Sequence, residues 1–467
     1  MIQKTIRITE KNEKEESRGH IRSGFMNIIL LSGGSGKRLW PLSNNVRSKQ
    51  FLKIFRKTDG TKESMAQRMY RMIKEVDKDA TVTIATSENQ IPQIKAQLGE
   101  NVGISVEPTR RDTFPAIALA AAYLKKNGVG EDEPVIVCPV DPYVESDYFE
   151  CLKELSDEAG KENAAHLTLM GIEPTYPSEK YGYIIPCSSG HIAAVSEFKE
   201  KPSVETAEKY IAAGALWNGG VFAFKLSYVL DIAQSIFGTC EYQELYDHYA
   251  DCTKISFDYA VVEKEKSINV VRFAGAWKDL GTWNTLTEAM DEATTGNAVA
   301  DSCNNTHVIN ELGIPVIALG IEDAVIAATP DGILVSTKEK SPELKSFVAD
   351  SRPMYERRGW GEYRVLDYKS HQDGNNSLVK ELVLTQGQHI SYQKHKHRME
   401  VWTFTEGAGE LILDGEVKPV SRGDVAVIQA GMKHAIRAVS ELHIVEVQIG
   451  SELTEDDIER LDWDWGK

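Results

Sequence analysis

Short apolar runs alternate with helix-length stretches along the early part of the chain. In order they are NIILL (27–31), a helix near 64–76, TVTIA (81–85), a helix over 113–126 and PVIVCPV (134–140). Such alternation predicts a largely parallel sheet with helices on both faces. In sheets of this kind ligands bind beyond the carboxyl ends of the strands. The loops after Leu31 and Val140 are therefore the predicted ligand-binding loops.

The loop after the first run, LSGGSGKRLWPLS (31–43), carries the glycines and basic residues of a phosphate-binding loop. It is not a Walker A loop, because Leu31 and Arg38 stand where that motif needs a glycine and a serine or threonine. It is not a dinucleotide fingerprint either, because Leu39 takes the place of the third glycine. Such a turn still lets backbone N–H groups face an anion, and Lys37 or Arg38 can add charge.

Length and charge limit the kinds of partner. A chain of 467 residues is too long for one ordinary core, so two or three domains are expected. The formal net charge of −17 argues against nucleic acid or an anionic membrane as partner, while a local basic cleft for a phosphorylated ligand remains compatible with it. No apolar run approaches the ~20 residues of a membrane span.

The six cysteines are scattered, with neither the spacing of a zinc site nor the density of a secreted disulfide scaffold. This pattern predicts a cytoplasmic protein. Residues 1–25 are highly charged and lack the apolar stretch of a signal peptide. They are predicted to be a disordered extension, with Met26 as the start of the folded protein.

The pattern of predicted strands and helices changes twice along the chain. Strands and helices mix up to about Thr295, and short β segments such as PVIALG and AVIAAT follow. From about Arg357, strand-sized pieces recur at turn-marked intervals, which is typical of a compact β-barrel or sandwich. We therefore predict an extension at 1–25, an α/β domain with a Rossmann-like mixed sheet at 26–295, a β-rich linker domain at 296–350 and a C-terminal β-barrel at 355–467.

The candidate site residues of the α/β region each have an ordinary interpretation as a turn glycine, a solvated lysine or a capping aspartate. Asp141 is the most informative, because a carboxylate that follows an apolar strand lies at the ligand edge of the sheet. Such a carboxylate suits magnesium, which prefers oxygen ligands and phosphate partners. The other candidates are Gly33, Gly34, Gly36, Arg38, Lys49, Lys201 and Asp279.

The segments GGSGKRLWPLS and SKQFLKIF closely resemble the signature of the mannose-1-phosphate guanylyltransferases, a family of sugar-1-phosphate nucleotidyltransferases. The resemblance continues through EPTRRDTFPAIALAA (107–121), PVDPYV, EKYGYI (179–184), FKEKP (198–202), WNGGVFAF (217–224), SFDYAVVEK (256–264) and WKDLGTWNTL (277–286). It implies an enzyme in which mannose 1-phosphate attacks the α-phosphorus of GTP and releases pyrophosphate. The attacking phosphate is already an anionic nucleophile, so catalysis rests on positioning and charge neutralisation.

The resemblance also implies roles for individual residues. The nucleotide would be bound by Gly33, Gly34, Ser35, Gly36, Glu107, Arg111 and Thr113, the last three near the base. Triphosphate oxygens would be held by Arg38 and Lys49, and Mg²⁺ by Asp141 and Asp279. Lys201 would pair with the sugar phosphate, and sugar hydroxyls would be met by Gly182, Glu200 and Asn218.

Three positions depart from the family pattern in this region. Ser48 replaces the proline that usually precedes the lysine of this motif, here Lys49. Asp112 and Phe114 stand where members often have asparagine and alanine, in the segment placed near the base. The last two departures make the reaction type a firmer expectation than the preference for guanine. A nucleotidyltransferase for another sugar 1-phosphate is the alternative prediction.

A second group of candidates lies in GQHISYQKHKHRMEVWTFTEG (387–407). Strand alternation predicts Gln393, His395 and His397 on one face, Glu400 follows, and a later strand adds His434. Polar residues on the exposed face of an antiparallel sheet are the ordinary interpretation. Convergence of the glutamine, the carboxylate and two of the histidines would instead form a site for Zn²⁺ or another divalent metal.

The glycine and ligand spacing of this region matches the cupin pattern. The matching positions are Gly387, Gln393, His395, Glu400, Gly407, Gly423, Gly431 and His434. Within cupins, QKHKHRMEVW and EVQIGSELTEDDIERLD resemble the phosphomannose isomerase domain fused to bacterial guanylyltransferases. The resemblance implies metal ligation by the glutamine, the glutamate and two histidines of that pattern. His397 and Arg398 would flank mannose 6-phosphate or fructose 6-phosphate during isomerisation.

Val401, Gln429 and Ala438 replace a histidine, a proline and an asparagine of that isomerase pattern. A second activity as mannose-6-phosphate isomerase is predicted beside the transferase activity. The alternative is a non-catalytic cupin that binds a sugar phosphate or stabilises a dimer. We also expect the chain to form a homo-oligomer, a dimer.

Overall fold

A computed structural model describes residues 25–34, 36–44, 47–348 and 353–465. Ser35 and residues 1–24 of the predicted extension lie outside these described ranges. Within the ranges, no helix has both the length and the apolar character needed to cross a membrane. The six cysteines all fall within them and are free thiols.

A nine-stranded mixed sheet forms the centre of the α/β region. Its strands are β1 (Asn27–Leu31), β4 (Thr81–Ser87), β5 (Gly103–Glu107), β6 (Pro134–Pro139), β8 (Leu167–Ile172), β9 (Gly182–Pro186), β10 (Ile192–Lys199), β11 (Leu216–Lys225) and β12 (Ile268–Phe273). They lie in the order β5-β4-β1-β6-β11-β8-β12-β10-β9. The first four strands in this spatial order, β5, β4, β1 and β6, are parallel to one another. Strand β11 runs antiparallel to β6, so the sheet is mixed.

Two short strand pairs accompany the large sheet. They are β2 (Lys53–Arg56) with β3 (Lys62–Ser64), and β7 (Pro142–Val144) with β13 (Trp277–Asp279). The helices of this region are Met65–Val76, Ile91–Leu98, Thr113–Lys126, Ser146–Ala159, Val204–Ala212, Leu226–Phe237, Tyr242–Asp247 and Trp283–Glu288. Ser64 begins the first of these helices with a reciprocal capping box to Gln67.

Apolar residues on both faces of β1 hold the sheet between two cores. Ile28 and Leu30 pack into one core and Ile29 into the other, all with no exposed surface. This is the pattern expected of a strand with helices on both sides. The register places Leu31 opposite Pro139, so the glycine turn and Asp141 leave the sheet side by side. Asp279 joins them, because it pairs with Pro142 across β7 and β13.

The rest of the chain is almost entirely β. Next come β14 (Thr294–Thr295), β15 (Ala298–Asp301), β16 (His307–Asn310), β17 (Val316–Leu319), β18 (Ala324–Thr329) and β19 (Gly332–Thr337). Strands β14 and β18 each pair in parallel with β16, and β15 pairs in parallel with β17. Strand β19 pairs antiparallel with β18.

Two antiparallel sheets form the C-terminal barrel. One has the order β20 (Tyr355–Arg358), β21 (Gly361–Ser370), β22 (Asn376–Leu384), β29 (Leu442–Gly450), β24 (Arg398–Glu406) and β27 (Val425–Ile428). The other has the order β26 (Glu416–Ser421), β25 (Ala408–Leu413), β28 (His434–Ala438), β23 (His389–His395) and β30 (Ile458–Arg460). Trp402, Phe404 and Ile444 fill the core between these sheets.

Candidate functional sites

A cavity of about 1010 Å³ opens at the carboxyl edge of the parallel strands. The glycine turn borders it, and a Cβ atom on Gly33 or Gly34 would meet no atom of the residues that the structure describes within 4 Å, chain neighbours apart. Their backbone therefore faces open space that a ligand can enter. Gly36 has φ 61°, and a Cβ there would lie 2.9 Å from the Asn44 carbonyl oxygen, so this turn requires glycine.

The far end of the cavity contains residues that were predicted to lie near the base. Glu107 and Thr113 line it, and the Glu107 carboxylate accepts a hydrogen bond from the Tyr249 hydroxyl at 2.8 Å. Burial raises the pKa of Glu107. Arg111 is not among the lining residues and donates instead to the Ala250 carbonyl, while its neighbour Arg110 lines the cavity and reaches the Gly34 carbonyl at 3.4 Å.

Three charged side chains converge beside the glycine turn. Lys49 Nζ lies 2.7 Å from Asp141 Oδ2 and 3.7 Å from Asp279 Oδ1. Burial tends to lower the pKa of Lys49, but the two carboxylates outweigh it and hold the pKa above its ordinary value. Arg38, on the turn 37–39, is near enough for its charge to oppose that rise in pKa. Asp141 and Asp279 thus share the positive charge of Lys49. Two carboxylates brought together in this way can also bind a divalent ion.

Ser48, the residue in place of the family proline, is part of a buried polar network. Its hydroxyl accepts a hydrogen bond from Gln90 Nε2 at 2.8 Å, and Gln90 Oε1 accepts from Ser32 at 2.9 Å. Gln50 also donates to Ser32 at 2.9 Å. The loop that carries Lys49 is therefore fixed to the glycine turn by hydrogen bonds in which proline could not take part.

Gly182, Glu200 and Asn218 lie together at the other end of the sheet. Gly182 pairs with Asn218 across β9 and β11, and a Cβ on Gly182 would lie 2.6 Å from Glu200 Oε2. Lys201 has φ 46° and pairs with Glu200. Asn218 Nδ2 donates to Asp258 Oδ1 at 2.7 Å. Burial, followed by the charge of Glu200, raises the pKa of Asp258 to about 6.

The barrel contains a buried cluster of metal-ligating side chains. One ligand atom each from His395, Glu400 and His434 lies within 4.8 Å of the others, and at most 2% of each residue is exposed. Gln393 is opposite His434 in the register, and its amide nitrogen is 3.5 Å from His395 Nε2. Rotating that amide by half a turn would present its oxygen to the cluster.

The hydrogen bonds of the two histidines leave one nitrogen of each facing the cluster. His434 Nδ1 bonds the Met432 carbonyl at 3.1 Å, and His395 Nδ1 bonds the Asp457 carbonyl at 3.2 Å. His434 Nε2 is buried and has no hydrogen-bond partner within the described ranges. Burial lowers the pKa of His434, which favours the neutral ring that binds metals. This donor set fits a divalent transition metal.

Glu400 is held ionised inside the barrel. Burial tends to raise its pKa, but the hydrogen bond and charge of His395, with the charges of His434 and Arg398, outweigh this effect and lower it. Arg398 Nε donates to Glu400 at 3.0 Å, and its Nη1 donates to the Thr454 carbonyl at 2.7 Å. Arg398 is thus buried against the cluster and does not line the cavity of about 540 Å³ beside it.

That smaller cavity borders His395, together with Lys394, Lys396 and His397. The prediction that His397 shares a face with Gln393 is wrong, because β23 ends at His395 and residue 397 lies in the following turn. Strand alternation does not continue through a turn. His397 is exposed there, and its backbone N–H donates to the Asp457 carboxylate at 3.1 Å.

Comparison with known proteins covers both regions of the chain. A family model described as nucleotidyl transferase matches residues 27–296, and one described as mannose-6-phosphate isomerase C-terminal matches residues 350–463. A mannose-1-phosphate guanylyltransferase of Salmonella montevideo is 31% identical over an alignment that covers 94% of this chain and 99% of that protein. The chain belongs to the mannose-1-phosphate guanylyltransferase family.

Two further known proteins align with most of this chain. The alginate biosynthesis protein AlgA of Pseudomonas putida is 32% identical, with 94% of this chain and 96% of that protein aligned. A solved structure from Thermus thermophilus, described as mannose-1-phosphate geranyltransferase, has a TM-score of 0.59 at 28% identity. It covers 69% of this chain and 98% of its own. The predicted fold class, a mixed-sheet nucleotidyltransferase domain with a C-terminal cupin barrel, is confirmed.

Within this guanylyltransferase fold, several residues near the cavity or the sugar end were not predicted from sequence. Arg110 and Asp258 lie in segments that carried the family resemblance, EPTRRDTFP and SFDYAVVEK, so their motifs were a signal for them. Glu356, Arg357 and Arg358 of the barrel also line the cavity, and no motif marked them. Their position follows from how the barrel packs against the α/β region.

Proposed function

We propose that the chain transfers the guanylyl group of GTP to mannose 1-phosphate and forms GDP-mannose and pyrophosphate. The observation that carries this proposal is the convergence of Lys49, Asp141 and Asp279 beside an open glycine turn and a large cavity. Cationic side chains at such a turn suit a polyanionic nucleotide, and the two carboxylates suit a divalent ion that binds its phosphates. Family membership supports the choice of guanine nucleotide and mannose 1-phosphate.

The reaction needs no proton transfer to start. A phosphate oxygen of mannose 1-phosphate forms a bond to the α-phosphorus of GTP. The bond from that phosphorus to the oxygen bridging to the β-phosphate breaks, and its electron pair leaves with pyrophosphate. Charge gathers on the α-phosphate during this exchange, so fixed positive groups lower the barrier.

Each end of the site has a role in this scheme. Lys49 and Arg38 would hold triphosphate oxygens, and the backbone of the glycine turn would approach the phosphates. Lys201 would bind the phosphate of the sugar, while Glu200, Asn218 and the backbone of Gly182 would orient sugar hydroxyls. A divalent ion, for which we propose Mg²⁺, would be held by Asp141 and Asp279 and would supply neutralisation of phosphate oxygens when bound.

A matrix of substrates tests the proposal. Purified protein with magnesium is incubated with each pairing of GTP, ATP, UTP or dTTP with mannose, glucose or fructose phosphates, and pyrophosphate release is measured. GTP with mannose 1-phosphate should be the fastest pair. A faster reaction with another sugar 1-phosphate would favour the alternative substrate, and no release with any pair would refute the transferase activity.

We also propose that the barrel is a mannose-6-phosphate isomerase site. The observation that favours it is the buried His395–Glu400–His434 cluster, in which His434 Nε2 has no hydrogen-bond partner among the described residues. The adjacent cavity presents Lys394, Lys396 and His397 to a sugar phosphate. Zn²⁺ is the metal we propose, and when bound it would polarise the carbonyl and hydroxyl oxygens of the sugar while a proton moves between the adjacent carbons.

Conversion of mannose 6-phosphate to fructose 6-phosphate, followed in protein loaded with zinc, tests this second activity. Turnover that disappears in Glu400→Ala would support it. Metal binding without turnover would identify the barrel as a sugar-phosphate-binding or dimer-stabilising module. The domain boundaries at 26–295, 296–350 and 355–467, the homodimer and the cytoplasmic location remain predictions, and light scattering tests the dimer.

A further inference from the structure

The first strand of the barrel forms part of the wall of the nucleotide cavity. Strand β20 is at the edge of its sheet and pairs only with β21 among the described strands. Glu356, Arg357 and Arg358 of β20 line the cavity, together with the glycine turn and Asp141 of the α/β region. The cavity is therefore built from two parts of the chain that match different family models.

Specific contacts fix this strand to the loop that follows the glycine turn. The Met354 N–H donates to Asp331 Oδ1 at 2.6 Å, and Asn44 Nδ2 donates to Asp331 Oδ2 at 2.7 Å. Arg47 makes two hydrogen bonds with Glu311, at 2.6 and 2.8 Å, and its guanidinium lies 5.8 Å from the centre of the Tyr355 ring. The strand is thus held in register with the loop that carries Lys49.

Among the described residues, this strand supplies two of the four cationic residues that line the cavity. These are Arg110, Lys254, Arg357 and Arg358. Arg358 is engaged by Glu356 at 2.8 Å and lies 3.8 Å from Glu455. Within the described part of the chain, the carboxylate paired with Arg357 is that of Glu362, at 3.4 Å, and the Arg357 side chain is 46% exposed. An exposed ion pair of this kind contributes little to stability, so Arg357 can leave Glu362 and bind a more strongly charged group.

We propose that Arg357 binds the β- and γ-phosphates of the nucleoside triphosphate from the barrel side of the cavity, so that the nucleotide bridges the two parts of the chain. A guanidinium matches phosphate oxygens through paired hydrogen bonds. Arg358, fixed by Glu356 and Glu455, positions the strand. The inference rests on the proposed transferase function, because it concerns the same nucleotide.

Steady-state kinetics of full-length Arg357→Ala test the inference. The KM for GTP should rise about tenfold or more, since a charge-assisted contact is lost, while the KM for mannose 1-phosphate stays within about twofold. Arg357→Lys should recover part of the loss, because it keeps the charge without the paired geometry. The matched control is Arg422→Ala, an exposed arginine of the barrel that does not line the cavity. An unchanged KM for GTP in Arg357→Ala would overturn the inference.

Equilibrium binding separates a phosphate contact from a contact to the base. Arg357→Ala should weaken GTP binding, measured by calorimetry, and leave GMP binding within about twofold of the unmodified protein. Equal weakening of both would overturn the assignment to the β- and γ-phosphates. If the unmodified protein binds GTP but transfers no guanylyl group to mannose 1-phosphate, the proposed function fails while the binding comparison still decides the role of Arg357.

Discussion

The cavity of the α/β region and the metal cluster of the barrel hold their charged groups in opposite ways. Lys49 and Asp141 pair at the cavity with 17% and 30% of their side chains exposed. In the barrel, His395 and Glu400 are each 1% exposed by side chain and lie 3.2 Å apart. The charged groups at the cavity are partly exposed to solvent, and those of the metal cluster are buried.

The difference indicates what each site binds. Partly exposed ion pairs can be exchanged for the phosphates of an incoming ligand at low cost, because they are weakly stabilising. Buried carboxylate and imidazole groups are costly unless they are paired or bind a metal. The cavity therefore suits a substrate that comes and goes, and the cluster suits a bound ion.

The largest expected effect comes from removing the carboxylates of the cavity. Asp141→Ala and Asp279→Ala should each reduce GDP-mannose formation by about 10³-fold or more, because neutralisation of phosphate charge is lost. Metal content and any isomerase activity of the barrel should be unchanged. Asp231→Ala, an exposed aspartate on the helix Leu226–Phe237, is the control. Loss of both activities in one variant would mean that the sites are not separate.

Removing barrel ligands should have the reverse effect. Glu400→Ala and His434→Ala should weaken metal binding by at least about 100-fold, since each removes a direct ligand rather than a supporting contact. Metal content measured by plasma emission spectroscopy checks this, and guanylyl transfer should stay within about twofold. His371→Ala changes an exposed histidine of the same barrel and serves as control. Unaltered metal content would rule out the cluster as the metal site.

A smaller effect is expected at the sugar end of the transferase site. In Gly182→Ala the new Cβ would lie 2.6 Å from Glu200 Oε2 and displace that carboxylate. The KM for mannose 1-phosphate should rise about tenfold, because misplaced positioning groups are costly, with little change in the KM for GTP. Gly313→Ala, where a Cβ would meet none of the described atoms beyond its chain neighbours within 4 Å, is the matched control. A change in the KM for GTP alone would contradict the role of Gly182 at the sugar-binding end of the site.

The smallest effect is a pH-dependent change in stability. The folded-state pKa of Asp258 is raised from 3.8 to about 6, so the folded state binds this proton more tightly and loses stability as pH rises between these values. Asp258→Asn should therefore stabilise the protein above pH 6 by no more than about 3 kcal/mol. Thermal unfolding should show this gain disappearing near pH 4. A gain that is the same at every pH would contradict the role of ionisation.

The sequence predicted helices and strands better than it predicted which residues lie close together in the folded protein. The helix Thr113–Lys126 and the strand Asn27–Leu31 were predicted with their observed limits, because apolar periodicity is a local property. His397 was placed on the wrong face because the end of β23 depends on the turn that follows it. Arg357 could not be predicted, because its place beside the cavity depends on packing between residues far apart in sequence.

The fate of the individual phosphates of GTP tests the central claim most directly. GTP labelled at either the α- or the γ-phosphate is incubated with the protein, magnesium and mannose 1-phosphate, and the products are separated by chromatography. Attack at the α-phosphorus predicts the α label in GDP-mannose and the γ label in pyrophosphate. Release of the γ label as inorganic phosphate, with the α label left in GDP, would show hydrolysis at the γ-phosphate and contradict the account.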